Sequence, residues 1–217
     1  LKDRGPDYQG FLYKNSKTFG HTRLSIIDLD ERSNQPMVED CFTIVFNGEI
    51  YNYEDIKNEL LKKEIKFKTE SDTEVLLKGF IHFGEKILDK INGMFSFVIY
   101  NEKSNELFAA RDRIGVKPFY YSWDGENIEI CSTIKPLSDG KKIDYQAVEI
   151  YLQTGYIPSP WTIYKDVKKL QPGHYFTLNF NTNELKFNKY WDLEKVKETN
   201  KTYEQSKQEL KALLYDA

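Results

Sequence analysis

Cysteine is scarce in this chain: there are two in 217 residues, Cys41 and Cys131. Each adjoins an apolar run, Phe42-Thr43-Ile44 after the first and Ile128-Glu129-Ile130 before the second, the setting of small buried strand residues. Neither has a cysteine or histidine near it at metal-ligand spacing, so no metal site is expected and a reducing, cytoplasmic setting is. No stretch approaches the ~20 apolar residues of a membrane helix, and no signal peptide is visible. One-sided charge is also missing: 31 basic residues stand against 34 acidic ones, a net charge of -3. That leaves no electrostatic footprint for nucleic acid or an anionic membrane. Internal repeats, low-complexity tracts, phosphate-cradling glycine loops and a local serine or cysteine nucleophile motif are absent as well.

Aromatic residues are plentiful at 15% of the chain, which suits β-rich architecture. A globule of this length buries about 70% of the surface its unfolded chain exposes and needs no staples. Apolar residues alternate or run in short blocks at Phe11–Tyr13, Phe19–Ile27, Phe42–Asn47, Met94–Tyr100, Glu106–Arg111, Phe119–Trp123, Ile128–Cys131, Tyr175–Asn179 and Glu184–Tyr190. These read as strands, and Asp124-Gly125 between two of them marks a hairpin. A helix is expected from Tyr53, with Ile56, Leu60 and Leu61 at helical spacing. A second starts at Ser71-Asp72-Thr73-Glu74, which has the form of a capping box, and should bury Val75, Leu76, Phe80 and Ile81. A third runs over Tyr145–Gln153. Strands in the majority with few helices imply an α+β fold, with sheets packed face to face and helices outside.

The ends suggest an excerpt of a longer protein. The chain opens at Leu1 and meets the turn signal Gly5-Pro6-Asp7 at once. Thr202 can cap a last helix with an apolar face of Tyr203, Leu210, Leu213, Leu214 and Ala217, and no glycine, asparagine or proline closes it.

Four segments could carry chemistry. In Asn47-Gly48-Glu49 an amide N–H₂ and a glycine N–H are the donor pair that stabilises an oxyanion, though Asn-Gly is also a common turn. Arg23 lies midway along an otherwise apolar run. An unpaired guanidinium is costly to bury, so Arg23 faces either a salt-bridge partner or a substrate carboxylate that suits its planar fork. Asp72 is a helix-cap acid that could also accept hydrogen bonds from a substrate ammonium. Arg111-Asp112-Arg113 reads as a paired-ion turn, and His21 as a structural residue.

Taken in order, several segments resemble the N-terminal, class II glutamine amidotransferase half of glutamine-hydrolysing asparagine synthetases. They are Arg4-Gly5-Pro6-Asp7, Arg23-Leu24-Ser25-Ile26-Ile27-Asp28, Gln35-Pro36-Met37, Asn47-Gly48-Glu49-Ile50-Tyr51-Asn52, Ser71-Asp72-Thr73-Glu74, Gly93-Met94-Phe95-Ser96-Phe97 and Arg111-Asp112-Arg113-Ile114-Gly115-Val116-Lys117-Pro118. Gly155-Tyr156-Ile157-Pro158-Ser159-Pro160 and Lys169-Leu170-Gln171-Pro172-Gly173-His174 resemble the segment that joins this half to the synthetase half.

The resemblance implies an N-terminal-nucleophile hydrolase, a four-layer αββα sandwich, here truncated at both ends. It implies a glutaminase domain over residues 1–155, its completion and connection over 156–200, and the first helix of an absent ATP-dependent domain over 201–217. In the family a terminal cysteine attacks the glutamine side-chain amide, and its own α-amine serves as base. Carried over, Asn47 and Gly48 form the oxyanion hole, Arg23 holds the substrate α-carboxylate and Asp72 its α-ammonium. Glu49 and the backbone of Leu24, Ser25, Ile26 and Ile27 line the rest.

The partners implied are L-glutamine and the C-terminal synthetase domain, with a homodimer left open. The cofactors, ATP and Mg²⁺, belong to that domain and none to this one. No cysteine stands at residue 1, and neither Cys41 nor Cys131 offers a free α-amine, so these 217 residues are expected not to hydrolyse glutamine. Two further readings stay open: an amidotransferase for another acceptor such as a polysaccharide sugar, and a non-catalytic glutamine-binding or assembly domain.

Overall fold

The structure is a computed structural model that describes residues 5–24, 28, 30–195 and 198–216. Its centre is a pair of long antiparallel strands, β4 (Phe42–Ile50) and β5 (Gly93–Asn101), aligned so that Phe42 faces Asn101 and Ile50 faces Gly93. β6 (Glu106–Arg111) pairs with the far side of β5, β10 (His174–Asn179) with β6, and β11 (Glu184–Lys189) with β10. On the other flank, β3 (Met37–Glu39) pairs only with the first three residues of β4, ending at Met37 opposite Ile44. The six strands form one sheet. A hairpin of β1 (Tyr8–Lys14) and β2 (Lys17–Arg23) forms a second, and β7 (Tyr120–Trp123), β8 (Ile128–Cys131) and β9 (Lys168–Lys169) a third.

Period-two alternation sends side chains of the six-stranded sheet to opposite faces. Ile44, Phe46 and Ile50 of β4, with Phe95, Phe97 and Ile99 of β5, face a helical layer. That layer comprises α1 (Tyr53–Leu61), α2 (Asp72–Phe83) and α3 (Ile87–Lys90). The inner face presents Leu107, Ala109, Phe176 and Leu178 to Tyr121, Trp123, Ile128 and Ile130 of the three-stranded sheet. Further along, Phe19 of β2 stacks on Tyr100 with ring centroids 5.8 Å apart, so the hairpin also lies over the inner face. Helices, sheet and facing sheets are thus layers of one sandwich. α4 (Tyr145–Thr154) stands apart and buries only Ala147, while α5 (Tyr203–Asp216) leaves Tyr203, Leu210, Leu213 and Leu214 exposed.

Several elements differ from the sequence expectation. β2 ends at Arg23 instead of running to Ile27; Leu24 is 59% exposed, and Ser25, Ile26 and Ile27 lie outside the described residues. In α2, Ser71 caps as expected, its Oγ accepting from the Thr73 N–H at 3.1 Å. The box is not closed, because Ser71 N–H donates to Thr69 Oγ1 and the Glu74 carboxylate instead accepts from Lys68 and Thr69 N–H. Ile81 is 38% exposed whereas Leu77 is fully buried. α2 packs on α1 and α3 as well as on the sheet, so its first two turns are buried over more than one stripe.

Leu77→Ala should therefore lower stability by about 2–5 kcal/mol, the usual range for a truncation of this kind in a packed core. Urea denaturation measures it, and a change below about 1 kcal/mol would mean that α2 is not part of the core.

Candidate functional site

β4 outruns β3, and past Ile44 its outer edge has no strand beside it among the described residues. Backbone groups of alternate residues point off that edge, and each needs a partner if buried. The Phe46 N–H donates to Gln35 Oε1 at 2.6 Å and the Ile50 N–H to Asp72 Oδ2 at 3.1 Å. The Phe46 carbonyl is taken by the His21 ring. Gly48 lies between those two residues in the same phase of the strand, so its N–H points off the same edge. A Cβ at Gly48 would stand 2.2 Å from the Met94 carbonyl oxygen, which makes glycine obligatory for so close a β4–β5 approach.

Neighbouring Asn47 points the other way, to the inner face, opposite Ser96. Its Nδ2 is buried with no hydrogen-bond partner. The side chain lines a cavity of about 670 Å³ between β2, β4, β5 and the β8 segment. His21 and Ser96 line the same cavity, and His21 Nδ1 is likewise buried without a partner. Burial lowers the His21 pKa to about 4, against the Phe46 hydrogen bond and with help from the Arg23 charge, so the ring is neutral at pH 7.

Asp72, the first residue of α2, is 6% exposed. Burial pushes its carboxyl up to about 6; hydrogen bonds from the backbone of Ile50 and Thr73 oppose that rise, and the nearby Glu49 charge adds to it. Arg23 is also buried, at 8% exposure. Its guanidinium wraps the loop beyond β2, donating to the Asp30 carbonyl at 3.0 Å, to Asn34 Oδ1 at 2.7 Å and to the Asp28 carbonyl. Asp28 Oδ2 in turn accepts from Ser33 Oγ at 2.7 Å and from the Glu70 N–H at 2.8 Å, two residues before α2. Arg23, the loop 28–34, the start of α2 and the outer edge of β4 are therefore one hydrogen-bonded neighbourhood.

The structure brings Asp72, Glu49, Gly48 and Asn47 to that edge and ties Arg23 to it through the loop. The cavity takes in Asn47 but not Arg23, Gly48, Glu49 or Asp72. Leu24 is exposed beside Arg23. Gln35 was not among the expected site residues, since a buried glutamine has no local sequence signature. His21 supplies an unpartnered nitrogen beside Asn47 that a structural reading did not anticipate.

The charged turn at Arg111 is organised differently from an ion pair. Arg111 donates to the carbonyls of Lys117, Leu170 and Gly115 at 2.7–2.8 Å, and Asp112 accepts from the N–H groups of Val116 and Lys117 at 2.8 and 2.9 Å. Each charge is satisfied mainly by backbone. This segment shapes the β6–β7 connection.

A family model described as a glutamine amidotransferase domain matches residues 1–191. The chain is 36% identical to the putative asparagine synthetase 2 (glutamine-hydrolyzing) of Methanocaldococcus jannaschii, over 100% of this chain and 46% of that protein. It is 37% identical to asparagine synthetase 3 (glutamine-hydrolyzing) of Bacillus subtilis, over 100% of this chain and 36% of that protein. The chain thus spans less than half the length of either relative. Among solved structures, the glutamine phosphoribosylpyrophosphate amidotransferase of Bacillus subtilis superposes with a TM-score of 0.57 at 20% identity, covering 80% of this chain and 35% of that one. That likeness is one of fold, and it agrees with the sandwich of N-terminal-nucleophile hydrolases expected from the sequence.

A buried amide without a partner lowers stability by about 1–3 kcal/mol. Asn47→Leu, similar in shape and apolar, should match or exceed the wild type in chemical denaturation, by about 1 kcal/mol. A loss of that size instead would mean the amide is satisfied inside the protein.

Proposed function

The chain belongs to the glutamine amidotransferase domain family, and on that premise we propose that it binds L-glutamine and supplies the groups that stabilise attack on the side-chain amide. The observation that carries the reading is the buried, unpartnered Asn47 Nδ2, next in sequence to a Gly48 N–H aimed off a strand edge. An unpartnered amide N–H₂ with a backbone N–H beside it is what a tetrahedral oxyanion needs, because no reorganisation is required as charge develops. In a comparable site one such donor is worth about 3–4 kcal/mol of transition-state stabilisation.

At the ammonium end, Asp72 and Glu49 are two carboxylates within electrostatic reach of each other. A cation between them relieves both the repulsion and the burial penalty of Asp72, which suits the α-ammonium of an amino acid. Arg23 is assigned the α-carboxylate. Its fork is engaged with the loop 28–34, so taking up a carboxylate means exchanging one of those neutral acceptors for a charged one, a favourable exchange. Leu24 with Ser25, Ile26 and Ile27 completes the lining in this reading.

The attacking group is proposed to be the thiolate of an N-terminal cysteine, activated by its own α-amine, whose reference pKa is about 7.7–8.0. Residue 1 here is Leu, and the nitrogens of Cys41 and Cys131 lie within peptide bonds. Binding and oxyanion groups are the part of that chemistry assigned to residues of this chain. In the whole protein, ammonia released here is proposed to serve an ATP- and Mg²⁺-dependent amidation of aspartate, a reading supported by the names of relatives matched along the entire chain. No residue described here is assigned to ATP or Mg²⁺. We further propose that residues 1–155 form the glutaminase unit, 156–200 its completion and connection, and 201–217 the first helix of the synthetase part. The exposed apolar side chains of α5 favour the last assignment.

Calorimetric titration with glutamine tests the site. Asp72→Asn and Arg23→Ala should each weaken binding roughly 10–100-fold, the loss of a charge-assisted contact worth about 1.5–3 kcal/mol. The ammonium needs the ionised carboxylate, so wild-type affinity should rise as pH passes upward through about 6, the Asp72 value. Glutamine's own α-groups titrate outside that window. Asp72→Asn should flatten the profile. Wild-type binding that neither substitution weakens, or none at all, refutes the assignment.

A further inference from the structure

Three facts about the outer edge of β4 stand together. The Phe46 and Ile50 N–H groups are closed by Gln35 Oε1 and Asp72 Oδ2, at 2.6 and 3.1 Å. Among the described residues, no hydrogen-bond partner meets the Gly48 N–H between them. Gln35 is 7% exposed, and its Nε2 donates to Thr73 Oγ1 at 3.3 Å, in the first turn of α2 that also carries Asp72. The amide can stand in only one sense, because the Phe46 N–H is a donor that must meet oxygen, which turns the N–H₂ to the threonine hydroxyl. Both closures of the edge therefore lead to the same helix start. β1 leans on the backbone of the same residue: a Cβ at Gly10 would stand 2.0 Å from the Gln35 carbonyl oxygen, so the main chain that carries the amide is packed against the hairpin.

We propose that Gln35 is a positioning residue: by bridging the Phe46 N–H to the first turn of α2, it fixes the direction of the Gly48 N–H toward the amide oxygen of bound glutamine. It touches no substrate itself. Its side chain substitutes for a neighbouring strand at Phe46 and stops two residues short of Gly48, so the edge is held while the Gly48 N–H meets no partner among the described residues. Without it, the strand could twist outward about its pairing with β5, and the Gly48 N–H would lose its aim while the core of the sheet stayed intact. The proposal rests on the glutamine reading above.

The test uses the ¹⁵N-labelled 217-residue chain, with amide exchange at Phe46 and Gly48 measured without ligand and the Gly48 amide shift followed during glutamine titration. Gln35→Leu should speed exchange at Phe46 about tenfold, weaken glutamine binding about tenfold and abolish most of the Gly48 response, as expected for one lost buried hydrogen bond. Gln35→Glu keeps an acceptor for Phe46 and should restore the Gly48 response. Ile44→Val, a truncation on the same strand, should lower stability and leave that response unchanged, which separates aim from mere stability. Gln35→Leu with wild-type affinity and an unchanged Gly48 shift overturns the proposal. If that variant does not fold, Gln35→Met, which keeps the length of the side chain but offers the Phe46 N–H no amide oxygen, decides the matter: a several-fold loss of affinity with a weakened Gly48 response supports the role, and the absence of both changes overturns it. A wild type whose Gly48 signal ignores glutamine overturns the glutamine reading instead, while the exchange rates still report whether Gln35 closes the edge.

Discussion

A strand edge buried without a neighbouring strand is the constraint on which this structure turns. β3 covers only the first residues of β4, and the remaining outward groups cannot stay unpaired away from water. Side chains close them instead, from three distant parts of the chain: His21 from the hairpin, Gln35 from the loop before β3 and Asp72 from the start of α2. Closing the edge draws together the same segments to which the proposed glutamine site is assigned. A further strand beside β4 would have satisfied every group along that edge. Side chains satisfy the edge one position at a time and leave Gly48 between them.

Two buried arginines show the same economy of means. Arg111 is surrounded by three backbone carbonyls and fixes the turn between β6 and β7. Arg23 wraps the loop 28–34 in the same manner and links it through Asp28 to the start of α2. A guanidinium is planar and carries five donors, so it can organise an irregular loop whose carbonyls no strand will meet. The difference is what each loop adjoins. The Arg111 loop is tied to the segment between β9 and β10 at Leu170 and Gly173, whereas the Arg23 loop borders the start of α2.

Period and turn chemistry made much of the fold legible before any coordinates. The β4 and β5 runs, the hairpin at Asp124-Gly125 and the Ser71 cap are local signals, and local physics decides them: Asp124 Oδ1 accepts from the N–H groups of Glu126 and Asn127, as an aspartate in a tight turn does. Three-residue β3 and four-residue α3 were not legible, because so short a segment takes its conformation from its neighbours. The extension of β2 through Ile27 followed from hydrophobicity alone, whereas β2 ends at Arg23 and residues 25–27 lie outside the described ones. For the site, the residue types at Asn47, Gly48 and Asp72 announced donor and acceptor chemistry. What joins them did not show. Gln35 and His21 act through contacts between segments far apart in the chain, and no window of sequence contains both ends of such a contact.

The burial that pushes Asp72 up to about 6 also acts on the folding equilibrium. Unfolded, the same carboxyl titrates near its model value of 3.8, so between that value and about 6 the folded protein holds a proton the unfolded chain has released. Its share of stability is present in full below the lower value and is lost as pH climbs to the upper one. Asp72 gains the charge that the proposed amino-acid ligand would need over the same interval in which ionisation loosens the fold. A bound cation would return part of that loss, so ligand-free and liganded domains should diverge most in thermal resistance on the neutral side of the interval.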